Sequence, residues 1–514
     1  MFGTHAVMYA DGLSMSQVEY IIIQAGGLGS RLKHLTVNKP KAIVSINNLP
    51  MIFHLFRKFP DKHFIIIGDY KKEVLDKYLM VFANVKYLTV DTDGHKGTCS
   101  GISKAIEFVP PGERFMLIWS DLVLGPDFKF PTDCLNYLGI SGTFLCRWSY
   151  KDNEFTEESS YEDGVAGLFI FNDKKIIENV PDSGEFVKWL QGMRINFKRL
   201  ILADTVEYGL LEKIKPLEYG KCRPFNSLTV KDGVVIKEGI DDQGRSLAVR
   251  EKNWYKHVMS LGVSIPEIFS FEPLSMEAID GCNIFEYRNL PEEQKRIILK
   301  SIMEELNTIH SHDCQFVDRF SMNKAYFMKT FDRLSKIRDL VPFANDKIIK
   351  VNGKNCRNVF YHIDEVRKRV SMIKCDHFSL IHGDCTFSNI MLKQGKKPVF
   401  IDPRGYFGDC ELIGDPNYDW SKLYYSVVGN YDMFNLGRFK LIIGESSVEL
   451  EIDSNGWENM EDTFINNLPS NICIEDVVFI HALIWLSLTT YAWDDYDSIC
   501  GAFYNGIYYL EDTL

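Results

Sequence analysis

The run Lys213–Pro224 constrains the fold most, because its prolines and glycine interrupt the periodic apolar pattern of the chain. A chain of 514 residues also exceeds the length at which a single hydrophobic core keeps growing. We therefore expect two domains, over residues 19–215 and 222–514. Residues 1–18 are expected to form a flexible extension, in which Met15 is a candidate start.

Composition is that of an ordinary globular protein, with 46% hydrophobic and 25% charged residues. We expect no membrane span, since no run approaches about 20 apolar residues, and residues 1–18 lack the features of a signal peptide. A net charge of −12 argues against a nucleic-acid partner. The twelve cysteines are scattered, which predicts neither disulfides nor structural zinc and favours a reducing cytoplasm.

Alternating apolar and helical segments characterise the first part of the chain. Apolar runs predict strands at Tyr20–Ile23, Phe64–Ile67 and Phe115–Trp119. Helical stretches such as Met51–Phe59 and Lys71–Tyr78 lie between them. This order predicts an α/β fold with a doubly wound, Rossmann-like parallel sheet.

The second part changes from strands to helices. Ser227–Val230 and Val234–Lys237 read as a hairpin, and helical patterns dominate beyond Leu290. A small β-rich lobe followed by a larger helical lobe is therefore expected. Two groups of apolar residues are predicted to be core: Ile297, Ile298, Ile302, Met303, Leu306 and Ile309 at helical spacing, and the late aromatics Trp485, Tyr491 and Trp493.

A glycine-rich loop follows the first predicted strand. Glycines let backbone N–H groups approach phosphate oxygens, and a helix starting after the loop would add its positive end. Arg31 and Lys41 would supply full positive charges. A lone glycine loop is also compatible with a plain strand-to-helix turn. The candidate phosphate-binding residues are Gly26, Gly27, Gly29, Ser30, Arg31 and Lys41.

Asp121 is the candidate metal ligand of the first part. It follows the apolar run Phe115–Ser120, at the carboxyl edge where open parallel sheets place their ligands. Two phosphorylated reactants repel each other unless Mg²⁺ bridges them, so a carboxylate is needed here. The alternative is a simple strand-end cap.

The string Gly-Gly-Leu-Gly-Ser-Arg-Leu at 26–32, with Pro40-Lys41 beyond it, resembles the nucleotidyltransferases that make nucleotide sugars and CDP-alcohols. The resemblance covers about residues 19–215. It implies that the glycines and Arg31 bind the triphosphate, that Lys41 stabilises the departing pyrophosphate, and that Asp121 holds the metal.

Four further residues follow from this resemblance. Gly97 and Thr98 look like the segment that contacts the base or the second substrate. Asp204, in Asp204–Tyr208, resembles the second metal aspartate of bacterial phosphocholine cytidylyltransferases. Glu185 lies in a segment that is near the acceptor in that subgroup.

The strongest motif of the chain is His382–Asn389, followed by Asp402 at the end of an apolar strand. Phosphoryl transfer needs a carboxylate to orient the attacking hydroxyl and oxygen ligands for Mg²⁺. Asp384 fits the first role, and Asn389 and Asp402 fit the second. His382 is predicted to be structural.

The order and spacing of this motif resemble aminoglycoside, choline and methylthioribose kinases, over about residues 222–430 or beyond. In this class a strand lysine holds the ATP phosphates and a helical glutamate positions it, and Lys237 and Glu251 match them. Glu277 and Ile279 lie in a segment that looks like the adenine-binding hinge. Arg404 departs from many relatives and could contact an anionic substrate or pair with an acidic group.

Together the two resemblances predict a bifunctional enzyme. A small alcohol, either a sugar, a polyol or an amino alcohol, would be phosphorylated with ATP, and CMP would then pass from CTP to the phosphoester, with Mg²⁺ at both sites. The product would be a CDP-linked precursor for surface polysaccharide or lipid decoration. A sugar kinase/uridylyl- or guanylyltransferase stays as the alternative. A regulatory protein with one inactive half is disfavoured because Asp121 and Asp384 are intact. The sequence sets no oligomeric state.

Overall fold

The computed structural model describes residues 17–214, 226–239 and 242–514. The chain divides into two compact units, Met1–Ile214 and Lys215–Leu514. Nearly all of the predicted extension 1–18, and the predicted limits at 215 and 222, lie outside the described residues. Those limits therefore stay predictions.

The first unit alternates strands and helices. Its strands are β1 (Tyr20–Gln24), β2 (Ser45–Ile46), β3 (Leu49–Pro50), β4 (His63–Gly68), β5 (Lys86–Asp91), β6 (Phe115–Trp119), β7 (Leu122–Val123), β8 (Tyr137–Ser141), β9 (Ser149–Lys151), β10 (Glu154–Thr156), β11 (Gly164–Phe171), β12 (Lys198–Leu202) and β13 (Val206–Glu207). Its helices are α1 (Met51–Lys58), α2 (Lys72–Phe82), α3 (Ile102–Glu107), α4 (Phe186–Met193) and α5 (Leu211–Ile214).

The central sheet has a parallel half and an antiparallel half. Strands β6, β1, β4 and β5 run parallel in that order, and Tyr20 is in register with His63 on one side and Phe115 on the other. Strand β11 joins β6 in the antiparallel sense and leads to β8, β9 and β10. The Rossmann-like α/β fold is confirmed.

Burial explains why only the parallel half was predicted. The side chains of β1 and β4 lie in the core, which gives the continuous apolar runs typical of parallel strands covered on both faces. Strands β9 and β10 have three residues each, too few for a clear alternation of apolar and polar side chains.

The second unit begins with strands and continues mainly as helices. Its strands are β14 (Asn226–Lys231), β15 (Val234–Gly239), β16 (Ile268–Phe271), β17 (Leu274–Glu277), β18 (Gly281–Asn283), β19 (Ile348–Val351), β20 (Lys354–Arg357), β21 (Ser379–Leu380), β22 (Ile390–Lys393), β23 (Lys397–Phe400), β24 (Tyr406–Phe407), β25 (Cys410–Glu411), β26 (Ile413–Gly414), β27 (Phe439–Ile443) and β28 (Val448–Ile452). Its helices are α6 (Asp242–Val258), α7 (Glu292–His310), α8 (Arg319–Met322), α9 (Lys329–Ile337), α10 (Ile363–Ser371), α11 (Pro416–Val427), α12 (Tyr431–Asn435), α13 (Glu461–Asn466), α14 (Ile474–Leu488) and α15 (Tyr496–Leu510).

The bilobal, protein-kinase-like architecture is also confirmed. The predicted hairpin is β14–β15, and it belongs to an antiparallel sheet of order β14-β15-β17-β16. Helix α6 follows that hairpin. The three-stranded sheet β18-β22-β23 flanks the loops that precede β22 and follow β23. Helices α7 and α9–α15 account for much of the remaining chain.

Two sequence expectations for this unit need correction. Ile297 is 61% exposed, because it lies on the outer face of α7, while the other five residues of the predicted stripe are buried. Trp485 is buried as expected, but Tyr491 and Trp493 are only half-buried, and Tyr491 lines a pocket.

Among the described residues, the helical stretch Ile474–Ala492 is long and apolar enough to cross a membrane by length and composition, but 67% of its most apolar 18-residue window is buried within the protein.

Candidate active sites

The glycine-rich loop of the first unit lies between β1 and a short 3₁₀ segment. Gly29 has a φ of 65°, and a Cβ at this position would lie 3.1 Å from the Cβ of Lys41. A Cβ at Gly26 would lie 2.9 Å from the Cβ of Asp69. Glycine is therefore required at both positions for the loop to pack this closely. Gly27 and Ser30 are exposed, so their backbone is accessible to a ligand.

The helix expected after this loop is absent from the described chain at that point. Residues Ser30–Thr36 instead form 3₁₀ turns, interrupted by Lys33 with φ 53° and ψ −115°. A broken 3₁₀ segment aligns few peptide dipoles, so it contributes little to anion binding. Side-chain cations must therefore supply most of the charge, and Arg31 is 61% exposed while contacting Glu207 at 3.5 Å.

Asp121 lies immediately after β6, at the carboxyl edge of the parallel strands. Its carboxylate forms an ion pair with the Nζ of Lys41, and both side chains are largely buried. The neighbouring Ser120 N–H donates to the carbonyl of Gln24 at 3.2 Å. The structure thus joins the predicted metal carboxylate to the predicted pyrophosphate lysine.

Asp204 does not join this site. It is exposed, has a φ of 52°, and is not among the residues that line the pocket around Asp121. The pairing of β13 with β7 instead sets Glu207 opposite Leu122, directly after Asp121. Glu207 lines the pocket, so the structure does not support the metal role predicted for Asp204. A two-residue strand gives no sequence pattern from which this register could be read.

Two chain segments close the pocket on one side. Gly97 has a φ of 94°, and a Cβ there would lie 2.2 Å from the carbonyl oxygen of Gly184. The Oγ1 of Thr98 accepts the N–H of Phe186 at 2.8 Å. Gln24, which the sequence did not single out, donates from Nε2 to the carbonyl of Thr98 at 3.1 Å. These contacts hold the predicted base-binding segment against β1.

Glu185 lies in the same pocket, where its Oε1 accepts the indole N–H of Trp148 at 2.6 Å and contacts Arg147 at 3.4 Å. Its predicted place near an acceptor is therefore compatible with the structure. The pocket is lined by residues that include Arg31, Thr98, Trp119, Asp121, Arg147, Trp148, Tyr161, Glu185, Glu207 and Lys213.

The donor set fits Mg²⁺ bound together with a nucleotide. Within the described residues no group of three or more His, Cys, Asp or Glu side chains converges on one point. Mg²⁺ usually takes one or two carboxylates and completes its shell with phosphate oxygens and water. Asp121 and Glu207 line one pocket with Arg31, and would serve as such ligands beside a triphosphate.

In the second unit, Lys237 joins two carboxylates. Its Nζ lies 2.8 Å from Glu251 of α6 and 2.5 Å from Asp402. Burial opposes the charged lysine, but the carboxylates of Asp402 and Glu251 outweigh it and hold the pKa of Lys237 above its usual range. The predicted nucleotide lysine, its positioning glutamate and a predicted metal aspartate are thus in direct contact.

The loop His382–Asn389 is held by α11. Both oxygens of the buried Asp419 carboxylate accept backbone N–H groups at 2.8 Å, one from His382 and one from Gly383. His310 binds the same carboxylate at 3.1 Å. Asn389 donates from Nδ2 to the carbonyl of Asp384 at 2.8 Å, which leaves Oδ1 as its atom suited to Mg²⁺. The sequence did not assign Asp419 this role.

His382 has the structural role predicted for it. Its Nε2–H donates to the carbonyl of Ile401 at 3.0 Å, and its Nδ1 accepts the N–H of Asp384 at 3.3 Å. Burial lowers the pKa of His382, which agrees with a neutral ring that uses one nitrogen as donor and the other as acceptor.

Two cations contact the predicted catalytic carboxylate. Asp384 lies 3.0 Å from the Nζ of Lys422 and 3.4 Å from the Nε of Arg404. The Asp384 carboxylate raises the pKa of Arg404 well above its usual value. Arg404 therefore pairs with an acidic group, one of the two roles considered for it. Lys422, in the middle of the buried helix α11, was not predicted.

The predicted adenine hinge follows β17. The Oε1 of Glu277 accepts a hydrogen bond from Lys393, and the side-chain bond to this lysine lowers the pKa of Glu277. Ala278 donates its N–H to the carbonyl of Gly233 at 2.9 Å. Ile279 is half-buried beyond the strand end. Because the Glu277 carboxylate is engaged, any adenine contact here would be made by the backbone or by Ile279.

Comparison with known families agrees with both sites. The sequence model of the nucleotidyl transferase family matches residues 20–132, and that of the fructosamine kinase family matches residues 338–413. The two predicted resemblances, of the first part to nucleotidyltransferases and of the second part to protein-kinase-like small-molecule kinases, are thereby confirmed.

Curated relatives match the first part of the chain. Glucose-1-phosphate cytidylyltransferase of Salmonella typhimurium is 28% identical over 138 residues, covering 22% of this chain and 54% of the relative. D-glycero-alpha-D-manno-heptose 1-phosphate guanylyltransferase of Campylobacter jejuni is 28% identical over 161 residues, covering 30% and 69%. The chain spans about half the length of most of the curated relatives it matches.

Solved structures also match this part. HddC from Yersinia pseudotuberculosis is 23% identical with a TM-score of 0.34, over 39% of this chain and 98% of that one. CTP:phosphocholine cytidylyltransferase (LicC) from Streptococcus pneumoniae is 19% identical with a TM-score of 0.31, over 39% and 98%.

Proposed function

We propose that this chain, which joins a nucleotidyl transferase segment to a kinase segment of the fructosamine kinase type, catalyses two consecutive activation steps. An alcohol is phosphorylated with ATP, and the phosphoester then takes CMP from CTP. The observation that carries the proposal is that each unit brings its own predicted site residues into direct contact: Asp121 with Lys41 in one, and Lys237 with Glu251 and Asp402 in the other.

In the kinase step, Asp384 is the proton acceptor. The acceptor hydroxyl loses its proton to this carboxylate as its oxygen forms a bond to the γ-phosphorus of ATP, and the bond from that phosphorus to ADP breaks. Lys237 holds the remaining phosphates. Mg²⁺, held by Asn389 and Asp402, would neutralise phosphate charge when bound.

In the transfer step, a phosphoester oxygen attacks the α-phosphorus of the nucleotide and pyrophosphate leaves. Arg31 and the loop glycines bind the triphosphate, and Lys41 compensates the charge that develops on pyrophosphate. Lys41 is held for this role by Asp121. Mg²⁺, held by Asp121 and Glu207, would neutralise phosphate charge when bound. Thr98 and Glu185 line the pocket in which the base and the phosphoester would bind.

Nucleotide preference is the finer part of the proposal. The similarity to a glucose-1-phosphate cytidylyltransferase supports CTP. The similarity to a heptose 1-phosphate guanylyltransferase supports GTP as a second candidate. Either product would be an activated precursor for surface polysaccharide or lipid decoration, made in the cytoplasm where ATP and these nucleotides are available.

The test is a pyrophosphate-release assay with Mg²⁺, each of four nucleoside triphosphates, and a panel of phosphorylated sugars, polyols and amino alcohols. ADP release is followed in parallel with the unphosphorylated alcohols. Asp384→Ala should abolish ADP release and keep pyrophosphate release, whereas Asp121→Ala should do the reverse. Loss of both activities in either folded variant would contradict two separate sites, and release with GTP alone would favour the second candidate.

A further inference from the structure

A cationic pocket lies beside Asp384 in the second unit. Four of its lining side chains are positively charged: Lys329 and Arg333 of α9, Arg404, and Lys422 of α11. Most of its remaining wall is tyrosine, and within the described residues no carboxylate lines it. Arg404 and Lys422 reach from this wall to Asp384, so the pocket adjoins the group that receives the hydroxyl proton.

The charges in this pocket do not balance. Asp384 contacts Arg404 and Lys422, but the four lining cations face no lining carboxylate among the described residues. Arg333 donates to the carbonyl of Ser487 and lies 5.9 Å from the ring of Tyr491. Lys329 lies 5.2 Å from the ring of Tyr418. Both contacts are with uncharged groups.

The pKa directions agree with this imbalance. Burial lowers the pKa of Lys329; Tyr418 opposes this shift, and the nearby Arg333, Arg404 and Lys422 add to it. Burial and Arg404 lower the pKa of Arg333 in the same way. Cations whose charged forms are disfavoured by each other are stabilised when an anion binds between them.

We infer that this pocket binds an anionic group of the kinase acceptor, so that the substrate is an alcohol that already carries a phosphate or a carboxylate. The inference rests on the proposed kinase activity and names the class of its substrate. A cationic acceptor would meet four like charges, which excludes quaternary amino alcohols. A neutral sugar would leave the charges uncompensated.

The proposed reaction requires one acceptor molecule to bind through two of its groups, each in its own subsite. The anion binds among Lys329, Arg333, Arg404 and Lys422, while the hydroxyl lies at Asp384. The hydroxyl proton passes to Asp384, the new oxygen–phosphorus bond forms, and ADP leaves. The product carries one more phosphate than the acceptor. An acceptor with a phosphate becomes a bisphosphate, and an acceptor with a carboxylate becomes a phosphorylated acid.

The experiment measures binding to the full-length chain by titration calorimetry, with a non-hydrolysable ATP analogue and Mg²⁺ present. The probes are glucose 6-phosphate, glucuronate, glucose and choline. The variants are Lys329→Met, Arg333→Met and, as a matched control, Lys336→Met, an exposed lysine of the same helix α9. The first unit is unchanged in all variants, so any probe that binds to the first unit contributes equally to every titration.

At least one anionic probe should bind more than about tenfold more tightly than glucose or choline. Lys329→Met and Arg333→Met should each weaken that binding by about tenfold or more, Lys336→Met should not, and Arg333→Lys should restore most of it. Preference for glucose 6-phosphate or for glucuronate identifies the anion as phosphate or carboxylate. Circular dichroism and melting temperature verify that each variant is folded.

Equal binding of all four probes, absence of anion binding that depends on Lys329 and Arg333, or preference for choline would overturn the inference. Failure of the proposed kinase function would give a different experimental result. In that case the ATP analogue itself does not bind, or its binding is unchanged by Asp402→Asn.

Discussion

Asp419 is a positioning residue of the proposed kinase site. Its carboxylate accepts the N–H groups of His382 and Gly383, which directly precede Asp384, so it fixes the position of the proposed catalytic carboxylate. Asp419→Asn keeps the shape but replaces one acceptor oxygen by an NH₂ group that faces an N–H. We expect the rate of ADP formation to fall about 100-fold, as for a misplacement near 1 Å, while the Kd for ATP stays within about threefold.

Single-turnover ADP formation and equilibrium ATP binding separate these two effects. Asp419→Ala serves as the harsher variant, since it leaves both N–H groups without an acceptor. Equal losses in rate and in ATP affinity would indicate general damage to the unit and would refute a specific positioning role.

A second prediction concerns the two carboxylates of the first unit. Glu207 lines the pocket with Asp121, whereas Asp204 is exposed outside it. Glu207→Gln should therefore lower pyrophosphate release by roughly 10- to 100-fold, and Asp204→Asn should change it less than about threefold. Titration of Mg²⁺ in the same assay should show a higher requirement only for the Glu207 variant. The opposite ranking would restore Asp204 as the second ligand.

Gly97 offers a third test, which concerns a single residue of the first unit. A methyl group there would lie 2.2 Å from the carbonyl oxygen of Gly184, whereas Gly94, with a φ of 79°, has nothing within 4 Å of its Cβ position. Gly94→Ala should cost only the left-handed backbone, about 1 kcal/mol. Gly97→Ala should cost about 3 kcal/mol, because strain and overlap add. Urea unfolding of the two variants gives the comparison, and equal costs would mean that the Gly184 segment shifts freely.

Motifs of contiguous residues were predictable, and contacts between distant residues were not. In the loop from Gly26 to Arg31 and in the run His382–Asn389 the residues are close in sequence, so their spacing alone predicted a phosphate-binding loop and a phosphoryl-transfer motif. Lys329 and Lys422, by contrast, read as ordinary charges within helical segments, and only the packing of α9 and α11 brings them to one pocket. Glu207 was missed because its place depends on the register of β13 with β7.

At the scale of elements, regular periodicity decided what could be predicted. Buried parallel strands such as β1 and β4 were predicted from their apolar runs. The hairpin β14–β15 was predicted from its Asp-Gly turn. The antiparallel strands β9 and β10 are too short for such a prediction. Helix α14 lies in the apolar stretch Ile474–Ala492, and its burial explains a composition that is also typical of membrane helices.

Helix α14 also carries a buried histidine. His481 accepts the indole N–H of Trp485 at 2.9 Å, and burial lowers its pKa to about 3. The unfolded chain binds a proton at this histidine near pH 6.5 while the folded chain does not, so stability falls as the pH drops below that value. Between pH 7 and pH 5 the loss from this group should be about 2 kcal/mol.

His481→Gln retains a hydrogen-bond acceptor without the titration. The free energy of unfolding of the wild type should therefore fall by about 2 kcal/mol more than that of the variant over this range, as measured by urea denaturation at each pH. Parallel pH curves for the two proteins would show that His481 does not titrate on unfolding.

The whole molecule consists of two units, each with its own hydrophobic core. We therefore expect two calorimetric transitions. ATP with Mg²⁺ at 100 times its Kd should stabilise only the second unit, by about 2.7 kcal/mol, and a nucleotide bound by the first unit should move only the other transition. A single transition, or a shift of both by ATP alone, would show that the units unfold as one.

Helix α11 fixes a distance within the second unit. Asp419, near its start, positions the loop that carries Asp384, the proposed proton acceptor, and Lys422, one turn later, reaches the cationic pocket. A helical turn is stiff, so the separation between the reacting hydroxyl and the bound anion cannot vary much. If the pocket takes the anion as inferred, the enzyme selects one hydroxyl of a polyhydroxylated acceptor by its distance from the charge, and regioselectivity is a property of the backbone.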